Sequence, residues 1–261
     1  MIVLNENDWA KEMIDSQSVG DSLFETLCCV SRYYIDCGYD RSAVRNKVDI
    51  FLQRYDSSIS IPKLENIIDA AIKKAYKRDA VAIDSIPIYK EELDIINSID
   101  GKPIKRLAFT LLCLAKYWDI VNNKQDHWVN TKDTEIKKMA NIRTSISRES
   151  EMYRKLRDLG LIEFSQKVDN LNVRVLFVKD GKEEMNITDF RNLGNQYLMH
   201  IGEPYYKCQN CGLVTKLERT GKGNRPKYCN SCATKLAVQS RINWVMRIRK
   251  NNNAKRKIVQ N

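Results

Sequence analysis

Two Cys-x-x-Cys pairs, Cys208 with Cys211 and Cys229 with Cys232, restrict the fold of this chain more than any other feature. Seventeen residues separate Cys211 from Cys229. One such turn aims two thiolates at a single ion, and a second turn supplies the other two ligands of a tetrahedron. Gly212 follows the first pair, where a positive φ is easiest for glycine. Asn210 and Ser231 lie inside the two turns and are common turn residues. Residues 213–217, Leu-Val-Thr-Lys-Leu, are read as a short strand. Gly221, Gly223, Asn224 and Pro226 make a polar loop, and Lys227-Tyr228 leads into the second pair. The spacing predicts one zinc ion held by Cys208, Cys211, Cys229 and Cys232. Four thiolates leave no open coordination position, so that ion is structural. The competing readings are disulfides or free core cysteines. The first residues lack a secretory signal, so a cytoplasmic location with reduced thiols is expected, which argues against disulfides.

This segment resembles a zinc ribbon, or the related treble-clef finger in which a helix follows the second pair. It also holds nearly all of the excess charge. The chain has 44 Lys+Arg and 33 Asp+Glu, a net of +11. Residues 203–261 carry 14 of the cations and two acids, Glu203 and Glu218, which leaves 30 cations against 31 acids in residues 1–202. A helix is expected over 233–250, with Lys235, Arg241, Arg247, Arg249 and Lys250 among Leu236, Val238, Ile242, Trp244, Val245, Met246 and Ile248. With Arg225 and Lys227 these cations are candidate contacts to a phosphate backbone. The alternative is a solubilising tail. Lys255, Arg256 and Lys257 follow in an Asn-rich stretch expected to fray. No apolar run reaches transmembrane length and no lipidation motif occurs, so no membrane partner is expected.

Glycine and proline are scarce, 10 and 5 in the chain, which favours long helices. Caps at Asn7 or Asp8, Ser22 and Asp40 or Ser42, and Pro62 at the start of a fourth segment, predict a helical bundle over 1–98 ending in a loop at Ile86-Pro87. Cys28, Cys29, Cys37 and Cys113 are read as core residues. Residues 33–76 are faintly similar to the C-terminal helical domain of mobile-element primases, through a helix, a glycine, a helix, then a proline before an alanine-rich helix.

Residues 99–182 follow a sharper pattern. An amphipathic helix over 105–121 precedes a strand at Trp128-Val129-Asn130, and Thr131 or Asp133 caps the next helix. A turn at 141–144 leads to a helix capped by Ser147 and ended by Gly160. Two strands, 161–164 and 173–178, flank a hairpin at 167–172. This order resembles a winged helix-turn-helix, and Arg157-Asp158-Leu159-Gly160-Leu161-Ile162 matches the step from recognition helix into wing. The resemblance implies that the helix from Ser147 lies in the DNA major groove. Arg143, Thr144, Ser147, Arg148, Arg154 and Lys155 would face bases and phosphates, with Lys167 and Arg174 in the wing against the backbone. Residues 183–202 are expected to connect the modules by a short helix and turn, and 203–261 form the zinc module with its basic helical tail. The predicted fold is thus mainly α: helical bundle, winged helix-turn-helix with a small β-hairpin, four-cysteine zinc module with basic helix.

Arrays of this kind resemble DNA-binding proteins of phages and other mobile elements. His127 and His200 are the only histidines, and no phosphate loop, nucleophile elbow or zinc-protease motif occurs, so no enzyme is expected. The leading expectation is a binder of double-stranded DNA in transcription or replication. The alternative is an adaptor whose N-terminal helices recruit a protein partner and whose zinc module is a non-specific tether. RNA binding by that module is a third option.

Overall fold

The computed structural model describes residues 2–166, 172–217 and 226–258, of which 249–258 are described as helix backbone only. The chain divides into two compact units, Met1–Phe190 and Arg191–Asn261. The described residues form ten helices and three small antiparallel sheets, a mainly α structure. No described helix is long and apolar enough to cross a membrane.

The first unit opens with α1 (Glu6–Asp15), α2 (Leu23–Asp36), α3 (Arg41–Tyr55) and α4 (Ile61–Ala75). Short polar side chains start three of them. Asn5 Oδ1 accepts from Asp8 N at 3.0 Å, Ser22 Oγ from Glu25 N at 3.4 Å, and Asp40 Oδ1 from Ala43 N at 2.8 Å. The first cap is thus Asn5, earlier than the Asn7 or Asp8 expected. In α4, Pro62 occupies the first turn, where its missing N–H costs nothing. Leu27, Val30, Val44, Val48, Leu52, Ile68 and Ala71 close a core with Cys28 and Cys29. Cys113 is buried too, but Cys37 is exposed: it sits at the C-cap of α2, past the last residue that faces the core.

Next come β1 (Ile86–Tyr89), α5 (Lys90–Ser98), α6 (Lys102–Asn122), β2 (Trp128–Val129), α7 (Asp133–Ala140), α8 (Ile146–Asp158), β3 (Ile162–Phe164), β4 (Val173–Val175) and β5 (Glu183–Ile187). Helix α6, expected as an amphipathic helix over 105–121, is covered on every side along its middle. Every residue from Leu107 to Tyr117 is buried, because α5, β1, α7, α8, β2 and β4 pack around it. Strands β2 and β3 flank β4, with Trp128 opposite Arg174 and Ile162 opposite Val175. Asp119 fastens the turn into β2: its carboxylate accepts from His127 N at 2.8 Å and contacts Nδ1 at 2.5 Å, holding His127 at φ +58°. The expected loop at Ile86-Pro87 is instead strand β1, paired with β5 as Ile86 to Ile187 and Ile88 to Met185. The expected connecting segment from 183 therefore begins as a strand of the first unit. Its partner lies far away in sequence, so no local pattern announces it.

The second unit contains α9 (Leu193–His200), β6 (Tyr205–Lys207), β7 (Val214–Lys216) and α10 (Asn230–Ile258). Helix α10 starts before Cys232, not after it, and incorporates that cysteine in its first turn.

A buried ion-pair cluster joins the first helix to the segment after α4. Glu6 Oε1 accepts from Arg32 Nη1 and from Arg78 Nη2, both at 2.7 Å, and Oε2 accepts from Val81 N at 3.0 Å. Burial by itself would raise the Glu6 carboxyl, but the Arg78 hydrogen bond, the Arg32 charge and the Val81 N–H together hold it below its ordinary value. A depressed carboxyl contributes stability that is complete above the unfolded pKa of about 4.3 and is lost as pH falls through the lower folded value. Glu6→Gln leaves buried Arg32 without its counter-charge. Urea unfolding should show a loss of about 3–5 kcal/mol at neutral pH, and a pH series should show a flatter acid limb than in the parent protein.

Candidate metal centre and nucleic-acid face

Hairpin β6–β7 pairs Tyr205 with Lys216 and Lys207 with Val214, which delivers Cys208 at the end of β6. The chain then turns tightly. Cys208 N donates to Leu213 O at 2.9 Å, and Gly212 N donates to Cys208 O at 3.0 Å with Gly212 at φ +72°. That left-handed φ is why glycine follows the pair. Gln209 N donates to Lys227 O at 2.9 Å and Tyr206 Oη to Tyr228 O at 3.1 Å, so the first turn fixes the approach to the second pair. Behind the hairpin, α9 buries Leu193, Tyr197 and Leu198, and Asn195 Nδ2 donates to Val214 O at 3.0 Å.

The four sulfurs lie within 4.8 Å of one another. Cys211 Sγ is 3.8 Å from Cys229 Sγ, which matches the edge of about 3.8 Å that a tetrahedron with metal–sulfur bonds of about 2.3 Å requires. Cys208, Cys229 and Cys232 are buried and Cys211 is half-buried. Two donors already address the sulfurs: Cys229 N to Cys208 Sγ at 3.3 Å and Asn210 Nδ2 to Cys232 Sγ at 3.4 Å. Burial works against ionisation of Cys208, yet the backbone N–H groups of Cys211, Cys229 and Asn210 bring its thiol down. Burial and the three neighbouring sulfurs push Cys211 up, so without a metal ion the cluster favours one thiolate among thiols. The first turn of α10 adds the positive end of a helix dipole. Four thiols in this space can hold one metal ion.

A second candidate face lies on α8. The helix cap is Ser145, two residues before the Ser147 expected: Ser145 Oγ accepts from Arg148 N at 3.4 Å, which leaves Ser147 inside the first turn. The buried side of α8 is Glu149, Met152, Tyr153 and Leu156. Glu149 accepts from Lys137 Nζ of α7 at 2.7 Å, and Arg106 Nη1 of α6 donates to Asn141 O at 2.9 Å. These bonds fix the turn between α7 and α8, and no local spacing in the sequence points to them. The structure gives α7 no side-chain cap; Thr131 Oγ1, one of the two expected caps, accepts from Trp118 Nε1 at 2.9 Å instead.

On the other side, Arg143, Ser147, Arg148, Arg154 and Lys155 are exposed and Thr144 is half-exposed. The four cations form no ion pair with any described residue. Arg174 is differently placed: Nη1 pairs with Glu163 at 3.1 Å and Nε donates to Asp126 O at 2.9 Å, which ties β4 to its neighbours. In the second unit Lys227, Lys235, Arg241 and Arg247 are exposed, also without ion pairs among the described residues. Lys167 and Arg225 lie outside the described residues, as do the side chains of Arg249 and Lys250. The α8 group belongs to the first unit and the remaining described cations to the second.

Comparison of the chain with protein-family models, with curated proteins and with solved structures gave no match. Its chemistry must therefore be inferred from its own residues.

Replacing Cys229 by Ser should remove a ligand and an N-terminal anchor of α10 together. Elemental analysis should find one metal ion per parent chain and much less than one in the variant. Strong chelation of the parent should lower helicity and open the 191–261 segment to proteolysis, while the first unit stays folded.

Proposed function

We propose that this chain is a DNA-binding protein, of the kind made by phages and mobile elements in transcription or replication. In this reading α6 to β4 act as a winged helix-turn-helix and the four cysteines hold one structural zinc. The observation that carries it is the solvent face of α8 with the turn before it, where Arg148, Arg154 and Lys155 on the helix and Arg143 in the turn stand free of acidic partners among the described residues. Nearby cations of the same segment are engaged in internal pairs, among them Lys137 with Glu149, Arg157 with Asp158 and Arg174 with Glu163. The first unit as a whole has 29 Lys+Arg against 31 Asp+Glu, so the α8 group is a local concentration and not the spill-over of a basic domain. The order helix, strand, helix, helix, hairpin, with β4 between β2 and β3, supports the winged-helix assignment. Two further features support zinc: an all-sulfur donor set and sulfur spacing suited to a tetrahedral ion.

The second unit has 15 Lys+Arg and two acids over 191–261. Its exposed Lys235, Arg241 and Arg247 supply phosphate affinity without sequence preference. The adaptor reading keeps one observation in its favour, the exposed Tyr55 and Ile67 on the N-terminal helices and Tyr39 and Tyr76 in the turns beside them, which suit a protein partner.

Selection from a randomised duplex pool over a salt series separates the two. The double substitution of Arg148 and Arg154 by Ala should abolish motif enrichment while leaving salt-sensitive binding in place. Substituting Lys235, Arg241 and Arg247 by Ala should weaken binding to all sequences. It should also reduce the slope of log K against log salt by about 0.9 for each phosphate no longer neutralised. Enrichment that survives the first variant would move the weight to the adaptor.

A further inference from the structure

Ile146 is the first residue of α8 and is 79% exposed, more than any other large apolar side chain among the described residues. The fold leaves it in solvent. The first helical turn gains nothing from a β-branched residue, and leaving an isoleucine in water forgoes the free energy of burying it. Its neighbours along the chain are polar or charged: the capping Ser145, Ser147, the unpaired Arg143 and Arg148, and Ser150, whose hydroxyl bonds back to Ile146 O at 3.1 Å. A single branched aliphatic group therefore stands at the tip of a cationic helix.

The chemistry of that tip narrows what it can meet. Unpaired arginines select a polyanion, and the acid next to Arg148 in sequence, Glu149, is buried and bonded to Lys137. In the major groove of duplex DNA the base edges offer donors, acceptors and one apolar group, the C5-methyl of thymine. RNA lacks that methyl group and its deep, narrow major groove does not admit side chains. We infer that Ile146 reads thymine through its C5-methyl, so that the preferred site of this protein contains a thymine whose methyl group contributes to binding. This inference rests on the DNA-binding reading above and adds a base identity to it. Glu151, exposed further along α8, disfavours phosphate at its own position and so helps orient the tip toward the bases.

The test replaces the methyl and the isoleucine separately. Duplexes selected by the metal-loaded full chain from a randomised pool are resynthesised with deoxyuridine at each thymine in turn. Removal of one methyl group at the critical position should weaken the parent protein about fourfold, the value of one buried methyl-sized group. Ile146→Ala should bind the thymine duplex more weakly and show no difference between thymine and deoxyuridine. Ile146→Val, which keeps a branched aliphatic end, should retain most of the difference. Because the side chain is exposed, these variants should unfold in urea as the parent does. Three results overturn the inference: no thymine position sensitive to deoxyuridine, a sensitivity unchanged in Ile146→Ala, or salt-sensitive binding with no motif. The last would leave the tip free for a protein partner. Failure of the parent to bind any duplex at low salt is distinct from these, and would remove the DNA-binding reading itself along with the inference.

Discussion

The first unit depends on a buried ion pair at its centre. Glu92 of α5 is fully buried and Lys116 of α6 nearly so, and they meet at 2.7 Å. Such a pair is tolerable only when its remaining polar atoms are matched, and here they are. Glu92 Oε2 also accepts from Tyr89 N at 2.9 Å, Oε1 accepts from Lys179 N at 3.0 Å, and Lys116 Nζ donates to Pro87 O at 2.8 Å. The ammonium also stands 4.2 Å from the centre of the Tyr89 ring. Four segments thus converge on two charges: the strand β1, the start of α5, the middle of α6 and the chain leaving β4. Apolar residues could fill the same volume, but they would not dictate which carbonyl and which amide come together. The bond from Lys179 N ties the chain after β4 to α5, and β5 then pairs with β1. Enclosed in this way, α6 is a rigid base for α7 and α8, and Arg106 on it holds the turn between them.

The second unit solves a different problem. Its apolar interior is small, chiefly Leu193, Tyr197, Leu198 and Val214, and the largest buried cluster near the start of α10 is cysteine itself. A module of this size cannot rely on buried apolar area alone. A metal ion held by the four cysteines would supply the missing cohesion by binding the folded arrangement and not the unfolded chain. Beyond its first turn α10 is largely exposed, with Leu236, Val238, Ile242, Trp244 and Met246 open to solvent. An isolated helix in water is marginal, so the anchor at Cys229 and Cys232 matters more to α10 than any packing along its described length.

Features governed by neighbouring residues were the ones legible in the sequence. Ser22, Asp40, Pro62 and Gly160 each mark a helix end through a cap, a fixed φ or a left-handed turn, and the structure puts helix ends there. Two short pairs of cysteines needed only their spacing to be recognised as a common site. What escaped were relations between distant segments. Nothing near Ile86 reveals that Ile187 will pair with it, and an apolar stripe on α6 does not say that every side will be covered. The cap of α8, expected at Ser147, is Ser145, because its hydroxyl is the one that reaches the Arg148 N–H. The charge of Arg174 was plain from sequence, whereas its capture by Glu163 across the strand pair was not.

The same distinction bears on how the proposed function would divide between the units. A face of four cations on a unit with a slight excess of acids exerts little attraction beyond the Debye length of about 8 Å at physiological salt. The second unit, with 15 Lys+Arg against two acids, would in the proposed reading attract any phosphate backbone from further out. In the proposed reading, therefore, encounter belongs to the second unit and discrimination to α8. A helix that is locally cationic yet set in a near-neutral domain is better suited to discrimination than a strongly basic one. With little general attraction to hold it on the wrong site, its binding depends on what its tip meets at the base edges. Serine hydroxyls and one exposed isoleucine beside unpaired arginines are the groups that such recognition needs.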